Sequence, residues 1–133
     1  MRVAQPTRVR VVATFDLIVT LPMAVPGLAD VYVAGLLSGF GWFGDPAEGL
    51  PMPQTASIFI VLAGILAVLW NGCRAAYPVF APMVIGDIAG RIAVAAAFLF
   101  FLLCAQAPLV LGAFVVTELV GAVIEASALR KNR

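Results

Sequence analysis

Apolar residues along this chain gather into four long runs, residues 11–37, 56–74, 84–104 and 109–129, parted by short stretches rich in proline, glycine or charge. A helix needs roughly 20 apolar residues to cross the hydrocarbon of a bilayer, and each run approaches or exceeds that length. The pattern predicts an all-α fold: an integral membrane four-helix bundle, with residues 1–133 forming a single transmembrane domain. The first run is irregular, because Asp16, Pro22, Pro26 and Asp30 interrupt it. A proline inside a helix removes a hydrogen bond and crowds the preceding turn. In a membrane such a defect survives only where protein or water satisfies the released carbonyls. The reading is one spanning helix kinked at Pro22 and Pro26, ending as a tilted or interfacial piece near residues 30–37. If that helix is continuous, Asp16, Thr20, Met23, Gly27 and Asp30 share one stripe, which faces protein.

Residues 38–55 form the long outer loop. Its charges are Asp45 and Glu48, and Trp42 with Phe43 suit the headgroup belt. Its glycines lack the lysine and following helix of a phosphate-binding loop. Trp70 and Arg74 mark the exit of the second run, and Pro78 and Pro82 the next turn. Ala105-Gln106-Ala107-Pro108 is a tight turn without charge.

Composition agrees with a lipid-covered surface. The chain is 63% hydrophobic and 11% charged, with a mean hydropathy of +1.09, whereas a soluble domain is about 25% charged. The net charge of +1, without a basic stripe, gives no footing for nucleic acid. The absence of histidine removes the usual haem ligand, the commonest zinc ligand and the usual proton shuttle near neutrality, so no metal site and no resident cofactor are expected. Cys73 and Cys104 fall near opposite ends of consecutive helices, beyond the roughly 7 Å Cα limit of a disulfide, and read as small buried hydrophobes. Positive charge collects at Arg2, Arg8 and Arg10, at Arg74, and at Arg130, Lys131 and Arg133, while the first and third loops carry none. The positive-inside rule then puts both termini in the cytoplasm, in a multi-pass protein of a bacterial inner membrane. Gly27-Leu28-Ala29 resembles a signal-peptide cleavage site, but Asp16 and two prolines inside the apolar region oppose that reading.

The polar residues inside the runs carry the candidate chemistry. Asp87 and Arg91, in Gly86-Asp87-Ile88-Ala89-Gly90-Arg91, are four apart and share a helix face. An arginine near the centre of a membrane helix costs roughly 2.5–3.5 kcal/mol on insertion scales, so Arg91 requires partners. Counting 1.5 Å of rise per residue places Asp16, Asn71, Arg91 and Glu125 at similar depth in the inner half of the bilayer, with Glu118 two turns deeper on nearly the face of Glu125. Arg91 is expected to bridge Asp87 with Glu118 or Asp16, with Asn71 filling remaining bonds and Arg74 reaching in from the edge. Gly86 with Gly90, and Gly121 with Ala122, offer small surfaces for close helix packing.

Phe15-Asp16-Leu17-Ile18-Val19-Thr20-Leu21-Pro22 and Thr117-Glu118-Leu119-Val120-Gly121-Ala122 resemble an uncharacterised family of bacterial inner-membrane proteins, and the size and four-helix layout resemble the DoxX-like class. DoxX-like members are associated with quinone-linked or redox complexes. The resemblance implies a four-helix bundle. No DoxX catalytic motif is matched, so no residue role is carried over. The first functional expectation is a non-catalytic membrane subunit or accessory protein of a larger complex, with the polar cluster holding the bundle together. Its partners are then membrane lipids and other membrane subunits or copies of the same chain. The alternative is a small proton-linked transporter, or a membrane protein binding quinone or lipid, that uses the same cluster.

Overall fold

The computed structural model describes residues 2–39, 51–104 and 110–130. These form five helices: α1 (Pro6–Thr20), α2 (Leu28–Gly39), α3 (Gln54–Ala76), α4 (Ala81–Cys104) and α5 (Val110–Ala128). A 3₁₀ turn, Leu21–Ala24, continues α1. Helices α3, α4 and α5 are each long and apolar enough to cross a membrane. The outer-loop residues Trp42, Phe43, Asp45 and Glu48, the turn at 105–108 and the basic end at 131–133 lie outside the described residues.

The first apolar run is broken, not kinked. Between Pro6–Ala24 and Leu28–Gly39 the chain changes direction by 115°. Pro22 sits in the first turn of the 3₁₀ segment, where its missing N–H is tolerated. Pro26 then disfavours helical dihedrals at Val25, which is extended at φ −104° and ψ 113°. Gly27 follows at φ 83°, a left-handed conformation that a Cβ would oppose. Three consecutive residues thus stop one helix and aim the next. Among the described residues, three segments are long and apolar enough to cross a membrane, or up to four if the bent pair is counted as one.

Packing follows from where small and polar residues lie. Helix α4 runs against α5, α1 against α3, and α1 also touches α5; α2 folds back on the 3₁₀ turn and onto α3. The backbones of α3 and α4 stay apart, so side chains close that flank. Gly64 lets α3 approach the 3₁₀ turn so closely that a Cβ there would collide with the backbone of Met23 and Ala24. Asp30 on α2 accepts a hydrogen bond from Ser57 Oγ on α3 at 2.8 Å. Gly27 and Asp30 therefore leave the stripe begun by Asp16, Thr20 and Met23. Large apolar side chains such as Phe59, Leu66, Leu103 and Val123 point outward, as a lipid-facing surface requires. Cys73 and Cys104 are exposed thiols, not buried ones.

One end of the bundle is tied by backbone. Arg2–Val3 pairs antiparallel with Leu129–Arg130, and Ala4 N–H donates to the Ala128 carbonyl at 2.8 Å. Val9, Val84 and Ala128 pack beneath as a small dry core. At the same end Arg10 Nε donates to the Ala75 carbonyl in the last turn of α3 at 3.2 Å, where a cation favours the helix dipole.

Candidate functional site

Helix α4 supplies the first half of the site. Asp87 and Arg91 face the bundle interior one turn apart, and Arg91 Nε donates to Asp87 Oδ2 at 2.7 Å. Arg91 Nη1 donates to Glu118 Oε2 on α5 at 2.9 Å, and Nη2 donates to Asp16 Oδ2 on α1. One guanidinium thus joins three helices. Gly121 makes this possible, since a Cβ there would stand 2.9 Å from Arg91 Cζ. The glycine seats a side chain, not a neighbouring backbone. Ala122 beside it is buried.

Helix α3 supplies the second half. Arg74 lies near its end, yet its side chain is fully buried. Nη1 donates to Asn71 Oδ1 at 2.7 Å and to Asp16 Oδ2 at 3.1 Å. Nη2 meets Asp87 Oδ2 at 2.9 Å and donates to Glu125 Oε1 on α5. Trp70 Nε1 donates to the other Asp87 oxygen at 2.6 Å, so Trp70 and Arg74 together bridge the flank where the α3 and α4 backbones stay apart. Asp16, Asn71, Asp87, Arg91, Glu118 and Glu125 therefore belong to one network over α1, α3, α4 and α5, with Arg74 at its centre.

A cavity of about 660 Å³ opens beside the network. Asp16, Asn71, Asp87, Arg91 and Glu118 form its polar end, and residues such as Phe15, Val19, Val94 and Phe114 its apolar walls. Gly86 and Gly90 line this space, and a Cβ at either would meet nothing within 4 Å. Within the chain they keep the cavity wide instead of seating another helix. Pro22 and Pro26 are not on the lining, but the break they cause returns α2 so that Tyr32 and Leu36 wall the cavity.

The two ends of the network differ in access. Arg74 and Glu125 are dry, and Arg74 Nε and Glu125 Oε2 lack hydrogen-bond partners among the described residues. Asp16 and Glu118 retain 18% and 26% side-chain exposure, directed at the cavity. Four carboxylates share two guanidinium groups, so full ionisation leaves two negative charges unmatched within the cluster. Among the described residues no group of three or more His, Cys, Asp or Glu is placed to hold a metal ion.

The sequence alone has Arg74 reaching in from the edge and Trp70 only marking the exit of the second run. A signal for Arg74 was present. Helical side chains lean toward the N-terminus of their own helix, so an arginine in the last turn of α3 leans back along the helix, toward Asn71. Trp70 carried no comparable signal, since its partner Asp87 lies on another helix.

No protein-family model matches this chain, and no curated protein or solved structure matches it either.

Proposed function

We propose that this chain is a non-catalytic, multi-pass membrane protein that binds an amphipathic small molecule in the cavity beside the Asp16–Arg91–Glu118 cluster. The observation that carries the reading is the cavity itself. A space of about 660 Å³ with a polar end and apolar walls falls within the roughly 300–1,000 Å³ typical of ligand sites. Glycines at positions 86 and 90 hold it open. Basic residues gathered at the strand-paired end favour a cytoplasmic-membrane orientation with both termini inside, and the polar end of the cavity then lies toward the inner leaflet.

A second reading has its own observation. Arg74 is wholly buried and ties α3 to α1, α4 and α5, as expected of a bundle fastened for duty as an accessory subunit. The two readings are separable by native mass spectrometry after gentle extraction. The binding reading expects one bound amphiphile per chain in the wild type, and its loss from Gly90→Leu, which pushes a side chain into the cavity from a position where a Cβ meets nothing within 4 Å. A wild-type chain that carries no such molecule, or a Gly90→Leu chain that retains it, refutes the binding reading. A stoichiometric assembly with other membrane proteins supports the second.

A further inference from the structure

The cavity's own chemistry selects among amphiphiles, on the premise that the cavity is a ligand site. We infer that its ligand is an organic cation: an apolar body bearing a protonated or quaternary amine, held against Glu118 and Asp16.

Each nitrogen of Arg91 already meets a carboxylate, Nε at Asp87, Nη1 at Glu118 and Nη2 at Asp16. Arg74 is shut off from the space behind Asp16 and Asp87. The Trp70 N–H is held by Asp87. No cationic donor on the lining therefore remains without an anion. Acceptors do remain. Glu118 engages Arg91 through Oε2, and Asp16 engages both arginines through Oδ2, so Glu118 Oε1 and Asp16 Oδ1 accept no hydrogen bond among the described residues. These two acids are also the most exposed members of the cluster.

Charge points the same way. A phosphate or carboxylate head brought here would add negative charge to a cluster that already has more carboxylates than guanidinium groups. In a low-dielectric site that repulsion is strong. A neutral carbonyl head would find the Asn71 amide and the Tyr32 hydroxyl as neutral donors on the lining, but would leave Glu118 Oε1 and Asp16 Oδ1 without a donor. A protonated amine supplies that donor directly. The walls suit it as well, because Phe15, Trp70 and Phe114 line the space and aromatic faces attract cations within about 6 Å.

The test uses a charge-reversed pair of nearly equal shape, tetraphenylphosphonium and tetraphenylborate, with decylubiquinone as the neutral amphiphile. Equilibrium dialysis against the full chain in lipid nanodiscs reads the affinity of each. One phosphonium ion should bind per chain, at least tenfold more tightly than the borate or the quinone. Gly90→Leu should abolish this binding, and Glu118→Gln should weaken it at least tenfold. The wild-type comparison decides the charge preference even if Glu118→Gln fails to fold. Borate or quinone bound as tightly as the phosphonium, and lost in Gly90→Leu, would overturn the cation and leave the cavity reading intact. Binding of no probe sensitive to Gly90→Leu would overturn both.

Discussion

Replacing Arg74 by methionine keeps most of the side-chain volume and removes the guanidinium that joins α3 to three other helices. The loss is large because nothing can hydrate what is left behind. Glu125 is fully buried and, among the described residues, pairs with no arginine but Arg74, whereas Asp16 and Asp87 keep Arg91. Breaking a buried pair by deleting one partner costs about 3–5 kcal/mol, because the other charge stays desolvated and alone. Global stabilities are about 5–15 kcal/mol, so this is a third or more of a modest total. At about 3–4 °C per kcal/mol for a chain of this size, melting should fall by about 9–20 °C. Charge counting makes a sharper claim about the double variant. Arg74→Met leaves four carboxylates facing one arginine, while Arg74→Met with Glu125→Met leaves three facing one and restores the original mismatch. Replacing a buried pair by apolar residues of similar volume is often neutral or stabilising. The double variant should therefore recover at least half of the loss. Thermal unfolding of purified protein, followed by size-exclusion fluorescence, measures all four corners of the cycle. A single variant melting within 2 °C of the wild type, or a double variant no better than the single, would refute the argument.

Two further changes probe the parts that hold the network in place. Gly121→Ala drives a Cβ to 2.9 Å from Arg91 Cζ and should cost about 1–3 kcal/mol by overpacking, whereas Gly90→Ala, with nothing within 4 Å, should be neutral or gain up to about 1 kcal/mol in helix propensity; paired melting curves compare them. Trp70→Phe removes the indole bond to Asp87 and should lower stability by about 1.5–3 kcal/mol, the usual value of a hydrogen bond to a charged group, with Trp70→Leu no better if the bond and not the ring is what matters.

Much of the polar network was legible because a membrane helix is a ruler. A fixed rise per residue and a known crossing direction convert sequence position to depth, and depth alone put Asp16, Asn71, Arg91 and Glu125 on one level. The i, i+4 spacing of Asp87 and Arg91 gave their shared face. Arg74 was expected to reach in from the edge, but its central place escaped because depth was assigned to its backbone, while its side chain leans back toward Asn71. The break in the first run escaped for a different reason. Pro22, Pro26 and Gly27 announce disorder in the helix, but the direction taken afterwards depends on what α2 can rest upon. That support is remote: Ser57 for Asp30, and the glycine at position 64 that admits the 3₁₀ turn. Gly86 and Gly90 show the limit of a motif. Small residues four apart suit a packed helix and a cavity wall equally well, and only the neighbours decide between them.

The mismatch of charge in the cluster gives fastening and binding opposite mutational signs. Four carboxylates around two arginines make removal of a cation worse than removal of an acid. Arg91→Met leaves Glu118 without an arginine and Asp16 and Asp87 sharing Arg74, and deleting one partner of a buried pair should cost about 3–5 kcal/mol. Glu118→Gln keeps the shape, relieves one excess negative charge and alters a group that is 26% exposed to the cavity. Its effect should stay well below that of Arg91→Met, because the amide oxygen can still accept a hydrogen bond from Arg91 Nη1. The same Gln should lose the response to a bound cation. In the wild type a cation at a hundred times its Kd stabilises by about 2.7 kcal/mol through mass action, which is a rise of about 8–10 °C at the scale used above. Melting of wild type, Arg91→Met and Glu118→Gln, each with and without tetraphenylphosphonium, reads both effects together. If Glu118→Gln melts as low as Arg91→Met, the acids are needed as fasteners, and the idea that the cluster holds negative charge in reserve for a ligand is wrong. If it melts with the wild type but no longer responds to the cation, fastening resides in the arginines and recognition in the acid they leave facing the cavity.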